Sequence, residues 1–166
     1  MYKVIVVDDE EMIRNGIKNV IPWKSLGVSE VITASSVNDA INIMKSNNFD
    51  IMITDICMPE KDGLSLVKEV NDINSELKII VLTGFDNFEY AQKCCKMKVN
   101  DFLLKPIDED ELTDVIRNLI KELDEEREKL QNQKKILRVE GTEEQIKLES
   151  IMQSIICNKS SYEDIN

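Results

Sequence analysis

The chain has no histidine. Any step that needs an imidazole base or a phosphohistidine must therefore borrow it from another molecule. No run of eighteen apolar residues occurs, and the N-terminus lacks a signal-peptide pattern. A membrane span and export are not expected, so the chain reads as soluble and cytoplasmic. Lys/Arg clusters are also missing, and the formal charge is −11. Such an acidic chain is a poor nucleic-acid binder by itself. Its four cysteines, Cys57, Cys94, Cys95 and Cys157, show no CxxC spacing. They read as small reduced hydrophobes, and a zinc site is not expected. Aromatic residues are few, and no internal repeat is present. The apolar share of 42% in 166 residues still suffices for one good-sized core with an appendage.

Residues 3–107 alternate between strand and helix patterns. Strands are expected over 3–7, 30–34, 50–54, 78–82 and 101–104. The stretches at 4–7, 51–53 and 79–82 are continuously apolar, as strands covered on both faces are. Met12, Ile13, Ile17, Val20 and Ile21 have helical spacing and stop at Pro22. Ala40, Ile41, Met44 and Phe49 follow Asn38 as a candidate N-cap; Leu64, Leu66, Val67 and Val70 follow Asp62-Gly63. A fourth helical pattern, from Phe88 to Met97, follows Asp86. Short links between these elements predict a doubly wound α/β fold, with five parallel strands in the flavodoxin-like order 2-1-3-4-5.

From Asp108 the composition becomes charged and helical, without proline or glycine to residue 138. Ile116, Leu123, Leu130 and Leu137 recur every seven residues, but Glu126 and Gln133 interrupt the other half of the seam. A last domain helix followed by a solvated extension explains 108–122; for 123–137 a weak coiled coil or signalling helix competes with the solvated extension. After Gly141, Thr142 to Gln145 match a capping box before a short helix. The expected organisation is a domain over 1–122, a helical linker over 123–157 and a polar tail over 158–166.

Each core strand ends in a polar residue. Val4–Val7 runs into Asp8 and Asp9, Ile51–Thr54 into Asp55, Ile79–Leu82 into Thr83, and Phe102–Leu104 into Lys105. In open parallel sheets, ligands bind at that edge. Three carboxylates suit magnesium, which takes oxygen ligands and keeps some of its waters. A carboxylate can also attack a phosphoryl group, with the charge neutralised by metal and lysine. Lys105 offers a compact positive charge, Thr83 a hydroxyl, and Gly84 leaves room. Simpler explanations compete for each residue. Asp8 and Asp9 could cap a helix, Thr83 could merely favour a strand, and Lys105 could be a solvated loop residue. Asp55 argues against the capping explanation, because it adds an acid at the neighbouring strand end. A cis Lys105–Pro106 bond would turn the lysine into the site.

VVDDEEMIR, ITDICMPEKDGL, VLTGFDNFEYA and DFLLKPI together resemble the receiver domain of bacterial two-component response regulators. The resemblance covers residues 1–122. It implies that Asp55 is the phosphoacceptor, charged by a sensor histidine kinase. Asp8, Asp9, Asp55 and the backbone carbonyl of Cys57 would hold Mg2+. Thr83 and Lys105 would bind the phosphoryl group, and Phe102 would be the switch aromatic. The resemblance further implies that phosphorylation reshapes the face of fourth helix, fifth strand and fifth helix. The seven-residue spacing extends that face, so a parallel homodimer with 116–137 in the contact is expected, either standing or formed on phosphorylation. Pro22–Gly27 and Phe85–Ala91 are similar to regulators with an arabinose-regulator (AraC-type) DNA-binding output domain. No basic helix for such a domain follows, so the chain reads as a receiver with its linker, reaching DNA only through that missing output domain. Lys98 stands where many relatives have glycine, and Lys61 where they have an apolar residue.

The implied protein is a switch and not an enzyme, with at most weak self-phosphorylation from small donors and self-dephosphorylation. An aspartate-nucleophile phosphatase would need a second acid two residues after Asp55, where Cys57 stands. A silent scaffold would not need the whole set of acids, Thr83 and Lys105. A flavin site lacks a phosphate-cradling loop after the first strand.

Overall fold

The computed structural model describes residues 1–59, 61–74, 76–84 and 97–133. The helical pattern from Phe88, the Phe85–Ala91 motif, and the linker and tail beyond residue 133 lie outside the described residues. The chain forms two compact units, Met1–Lys121 and Glu122–Asn166.

In the first unit, strands β1 (Tyr2–Val7), β2 (Val28–Ala34), β3 (Ile51–Asp55), β4 (Lys78–Thr83) and β5 (Asp101–Leu104) alternate with helices α1 (Glu11–Val20), α2 (Val37–Ser46) and α3 (Gly63–Ile73). They form one parallel sheet in the order β2-β1-β3-β4-β5. A further helix starts at residue 109, and residues 122–133 of the second unit are also helical. No described helix is long and apolar enough to cross a membrane.

Strand periodicity assigns the core. Ile5, Val7, Met52, Ile79 and Val81 join one apolar cluster with Ala40 of α2 and Leu66, Val67 and Val70 of α3. The alternate residues Val4, Val6, Ile51, Ile53, Ile80 and Leu82 are equally buried and point to the opposite face. Both faces are thus dry, which explains the unbroken apolar runs of β1, β3 and β4. Each fully buried aliphatic side chain contributes roughly 1.5–3 kcal/mol relative to exposure.

Several local expectations change. Asn38 is not the cap of α2. Ser36 is, because its extended backbone lets its hydroxyl accept from Asp39 N at 3.2 Å. Asp62 does cap α3, accepting from Ser65 N at 2.9 Å. In α1, Met12 is 88% exposed and only Ile17 is buried within the helix, so the buried stripe is narrower than the apolar pattern. The Pro22–Gly27 segment is a tight turn closed by Val28 N to Trp23 O at 3.0 Å, with Gly27 at φ 78°. Lys98 adopts φ 55°, the left-handed conformation that glycine accommodates better.

Candidate functional site

Sheet register brings the acids together. Val7 of β1 lies opposite Thr54 of β3. Parallel strands continue in step, so the next residues, Asp8 and Asp55, end side by side. Asp9 follows in the loop to α1. Oxygens of Asp8, Asp9 and Asp55 all lie within 4.8 Å of one another. Asp8 is fully buried and Asp55 is 4% exposed, whereas Asp9 faces solvent.

Lys105 enters from β5, two strands beyond β3. Its backbone N–H donates to Thr83 O at 2.8 Å, tying it to the end of β4. Its peptide bond to Pro106 is cis. Nζ donates to Asp8 Oδ2 at 2.8 Å and to Asp55 Oδ2 at 3.0 Å, and lies 3.9 Å from Glu10 Oε1. The solvated-loop explanation for this lysine therefore fails. Thr83 is buried at the end of β4. Cys57 is exposed in the loop after β3, and Phe102, on β5 opposite Val81, is 43% exposed.

The electrostatics are those of buried, partly compensated charge. Burial pushes the Asp8 carboxyl above its ordinary value, against the opposing pull of hydrogen bonds from Lys105 and the Glu10 N–H. Burial works to lower Lys105, but its bonds to Asp8 and Asp55 outweigh that and hold the ammonium above its ordinary value. Lys105 therefore stays charged, and one ammonium answers two carboxylates. Surrounding protein and the Asp55 carboxylate push the Cys57 thiol up, although its side chain reaches the surface. A protonated thiol is a poor competing nucleophile.

Among the described residues, Asp55 Oδ1 is buried without a hydrogen-bond partner. A buried carboxylate oxygen left this way is costly unless something else is meant to meet it. Hard oxygen donors in a tight cluster fit a small divalent cation. The capping explanation for Asp8 and Asp9 accounts for little. Asp8 Oδ1 does accept from Glu10 N at 2.8 Å. The N-cap of α1, however, is Glu10, without a side-chain cap bond.

Two contributors were not apparent from sequence. Gly63 opens α3 directly against the phosphoacceptor candidate: a Cβ there would sit 1.9 Å from Asp55 O and 2.9 Å from Asp55 C. Its N–H donates to Ile56 O at 2.8 Å. A glycine as the first residue of a helix, where it gives no propensity, was the available signal. Arg14 of α1 donates from Nη1 to Asp8 O at 2.6 Å and to Asp9 O at 3.0 Å. It closes the VVDDEEMIR motif, but nothing in the sequence tied it to the backbone of Asp8 and Asp9.

A 2-1-3-4-5 parallel sheet with helices on both faces defines the flavodoxin-like class, in its CheY-like form. Residues 4–117 match the response regulator receiver domain, and the chain belongs to that family as the receiver domain of a two-component response regulator. It is 38% identical over 123 residues to the transcriptional regulatory protein YesN of Bacillus subtilis, covering 74% of this chain and 33% of YesN. Among solved structures, the receiver domain of AraT, a response regulator from Geobacillus stearothermophilus, is 34% identical with TM-score 0.71, covering 76% of this chain and 98% of that one. A two-component transcriptional regulator AraC from Clostridium phytofermentans is 26% identical with TM-score 0.70, covering 78% and 99%. The chain spans 33% to 48% of the length of the curated relatives it matches.

Proposed function

We propose that Asp55 is the phosphoacceptor of a magnesium-dependent cytoplasmic switch, charged by a partner sensor histidine kinase. One observation carries this reading: a buried Asp55 whose Oδ2 meets Lys105 at 3.0 Å and whose Oδ1 has no partner among the described residues, within the cluster of Asp8 and Asp9. Asp8, Asp9, Asp55 and the backbone carbonyl of Cys57 would hold the ion. Bound magnesium supplies positive charge to the phosphoryl oxygens. The chain's own residues do the rest. A carboxylate oxygen of Asp55 attacks phosphorus; the O–P bond forms as the donor's N–P bond breaks, and the electron pair leaves with the partner's imidazole. The chain itself has no histidine, so the donor must be a second molecule. Lys105 transfers its ammonium contacts to the phosphoryl oxygens, and the Thr83 hydroxyl donates to another.

This is a stoichiometric switch and not an enzyme. Cys57, two residues after Asp55, offers no acid or base for turnover. In this reading phosphorylation acts through Thr83 and Phe102 on self-association along β5 and the last helix, where the expected seven-residue seam is corrected by burial: Ile116 and Leu123 are taken up inside the protomer, and of these positions Leu130, 49% exposed, is left for a partner. Pairing would bring together two AraC-type DNA-binding output domains, as the transcriptional relatives suggest. Polar Glu126 keeps the seam marginal, so a bias of a few kcal/mol decides the monomer–dimer balance.

Intact-mass spectrometry after acetyl phosphate treatment is the test. One phosphoryl adduct is expected with magnesium, none without it, and the adduct should be lost in hydroxylamine. Equal labelling of Asp55→Ala would overturn the assignment. Sedimentation equilibrium with an acyl-phosphate mimic tests the output. A chain monomeric at tens of micromolar, about a 6 kcal/mol threshold, excludes control by dimerisation.

A further inference from the structure

We infer that Arg14 is a positioning residue for the metal-binding acids, acting through their backbone and not through their carboxylates; the inference rests on the proposed magnesium site. Asp8 is fixed at four points. Its N–H donates to Ala34 O at 3.2 Å, its Oδ1 accepts from Glu10 N at 2.8 Å, its Oδ2 accepts from Lys105 at 2.8 Å, and its carbonyl accepts from Arg14 at 2.6 Å. Asp9 is different. No side-chain hydrogen bond holds its exposed carboxylate among the described residues, and its carbonyl is held by the same Arg14 nitrogen at 3.0 Å. One guanidinium nitrogen, with its two hydrogens, thus draws two successive carbonyls toward α1. Fixing both peptide planes fixes the direction in which the Asp9 side chain leaves the backbone. The carboxylate with the fewest restraints therefore depends most on Arg14.

The placement of Arg14 supports a dedicated role. It is the fourth residue of α1, close to the positive end of the helix dipole, where a cation is unfavourable. The two carbonyl bonds offset that. Its charge alone would repel a divalent ion. The two roles therefore predict opposite signs. If Arg14 acts only as a charge, its removal tightens metal binding. If it orients the loop, its removal weakens binding, as loss of an outer support for metal ligands does by roughly 10–100-fold.

The experiment compares the parent chain with Arg14→Met and Arg14→Lys. Mg2+ binding is measured directly by calorimetry on unphosphorylated chain, and the magnesium dependence of acetyl phosphate labelling is measured beside it. Arg14→Met should weaken Mg2+ binding by roughly 10–100-fold and raise the magnesium concentration for half-maximal labelling equally. The labelling rate at saturating magnesium should stay within about two-fold, because Asp55 and Lys105 are untouched. Arg14→Lys, with a cation that can meet one carbonyl, should fall between. Hydrogen exchange without metal should show faster exchange at the Glu10 amide in Arg14→Met, with the β1 amides unchanged. Unchanged or tighter Mg2+ binding in Arg14→Met overturns the inference alone. Equal acceleration of exchange across β1 also overturns it, showing a general loss of stability. A parent chain that takes up no Mg2+ overturns the proposed function and this inference with it.

Discussion

Gly63→Ala is the most discriminating single perturbation of this fold. The added Cβ would lie 1.9 Å from Asp55 O and 3.2 Å from Ile56 Cα. A relaxed carbon–oxygen contact needs about 3.2–3.5 Å. The first turn of α3 and the Asp55 peptide must therefore part by roughly 1.5 Å. Both partners are backbone, so no rotamer change can absorb it. Retreat of α3 would also loosen Leu64, Leu66, Val67 and Val70, all buried, and stretch the bond from Gly63 N to Ile56 O, now 2.8 Å. Overpacking of this kind costs about 1–3 kcal/mol, and a weakened buried hydrogen bond adds about 1 kcal/mol. The better helix propensity of alanine returns about 0.5–1 kcal/mol. A net loss of about 1–3.5 kcal/mol is expected, read as a lower urea midpoint at unchanged slope. Labelling of Asp55 by acetyl phosphate should fall by roughly 100-fold, because a 1 Å misplacement of a reacting group costs about that much. Gly16→Ala is the control. It lies within α1, and its Cβ would meet nothing within 4 Å. That variant should be neutral or gain up to about 1 kcal/mol. If Gly63→Ala matches the parent in midpoint and labelling rate, the contact between α3 and Asp55 does not constrain the site and the reasoning fails.

Other variants test separate parts of the structure. Lys98→Gly should raise the thermal midpoint, gaining about 0.5–1 kcal/mol by relieving φ 55°; an unchanged midpoint would mean the conformation carries no strain. Ser36→Ala should cost about 1 kcal/mol in chemical denaturation and Asn38→Ala less than about 0.5 kcal/mol, since only Ser36 accepts from Asp39 N; the reverse ranking would restore Asn38 as the cap. Lys105→Met should destabilise the metal-free chain by about 2–4 kcal/mol at pH 7 by leaving buried Asp8 and Asp55 uncompensated. The folded state holds the Lys105 proton more tightly than the unfolded state. Its stabilisation is therefore complete below pH 10.5 and is lost as pH rises through the higher folded value. The stability gap between parent and variant should narrow above pH 10.5, and a gap that widens there would contradict the lysine's role.

The sequence by itself determined the class of fold and the cast of the site. Continuous apolar runs at β1, β3 and β4, each short and followed by a helical pattern, fit strands covered on both faces, and the helical spacing between them supplies the cover. Each strand's next residue was polar, so Asp8, Asp9, Asp55, Thr83 and Lys105 were legible as edge residues before any coordinate. Their roles became specific only through four motifs in order. Local features were read less well where two side chains compete for one task, as Ser36 and Asn38 did for the cap of α2. Tertiary structure alone decided what depends on distance between residues remote in sequence. The register of Val7 against Thr54 sets Asp8 beside Asp55. The path of β5 carries Lys105 back to both acids. Gly63 and Arg14 lie within the quoted motifs, but their roles were not legible there because each acts on backbone atoms. A missing Cβ and a bond to a peptide carbonyl leave no trace in polarity or periodicity, and they acquire meaning only when the chain has closed around Asp55 and the β1–α1 loop.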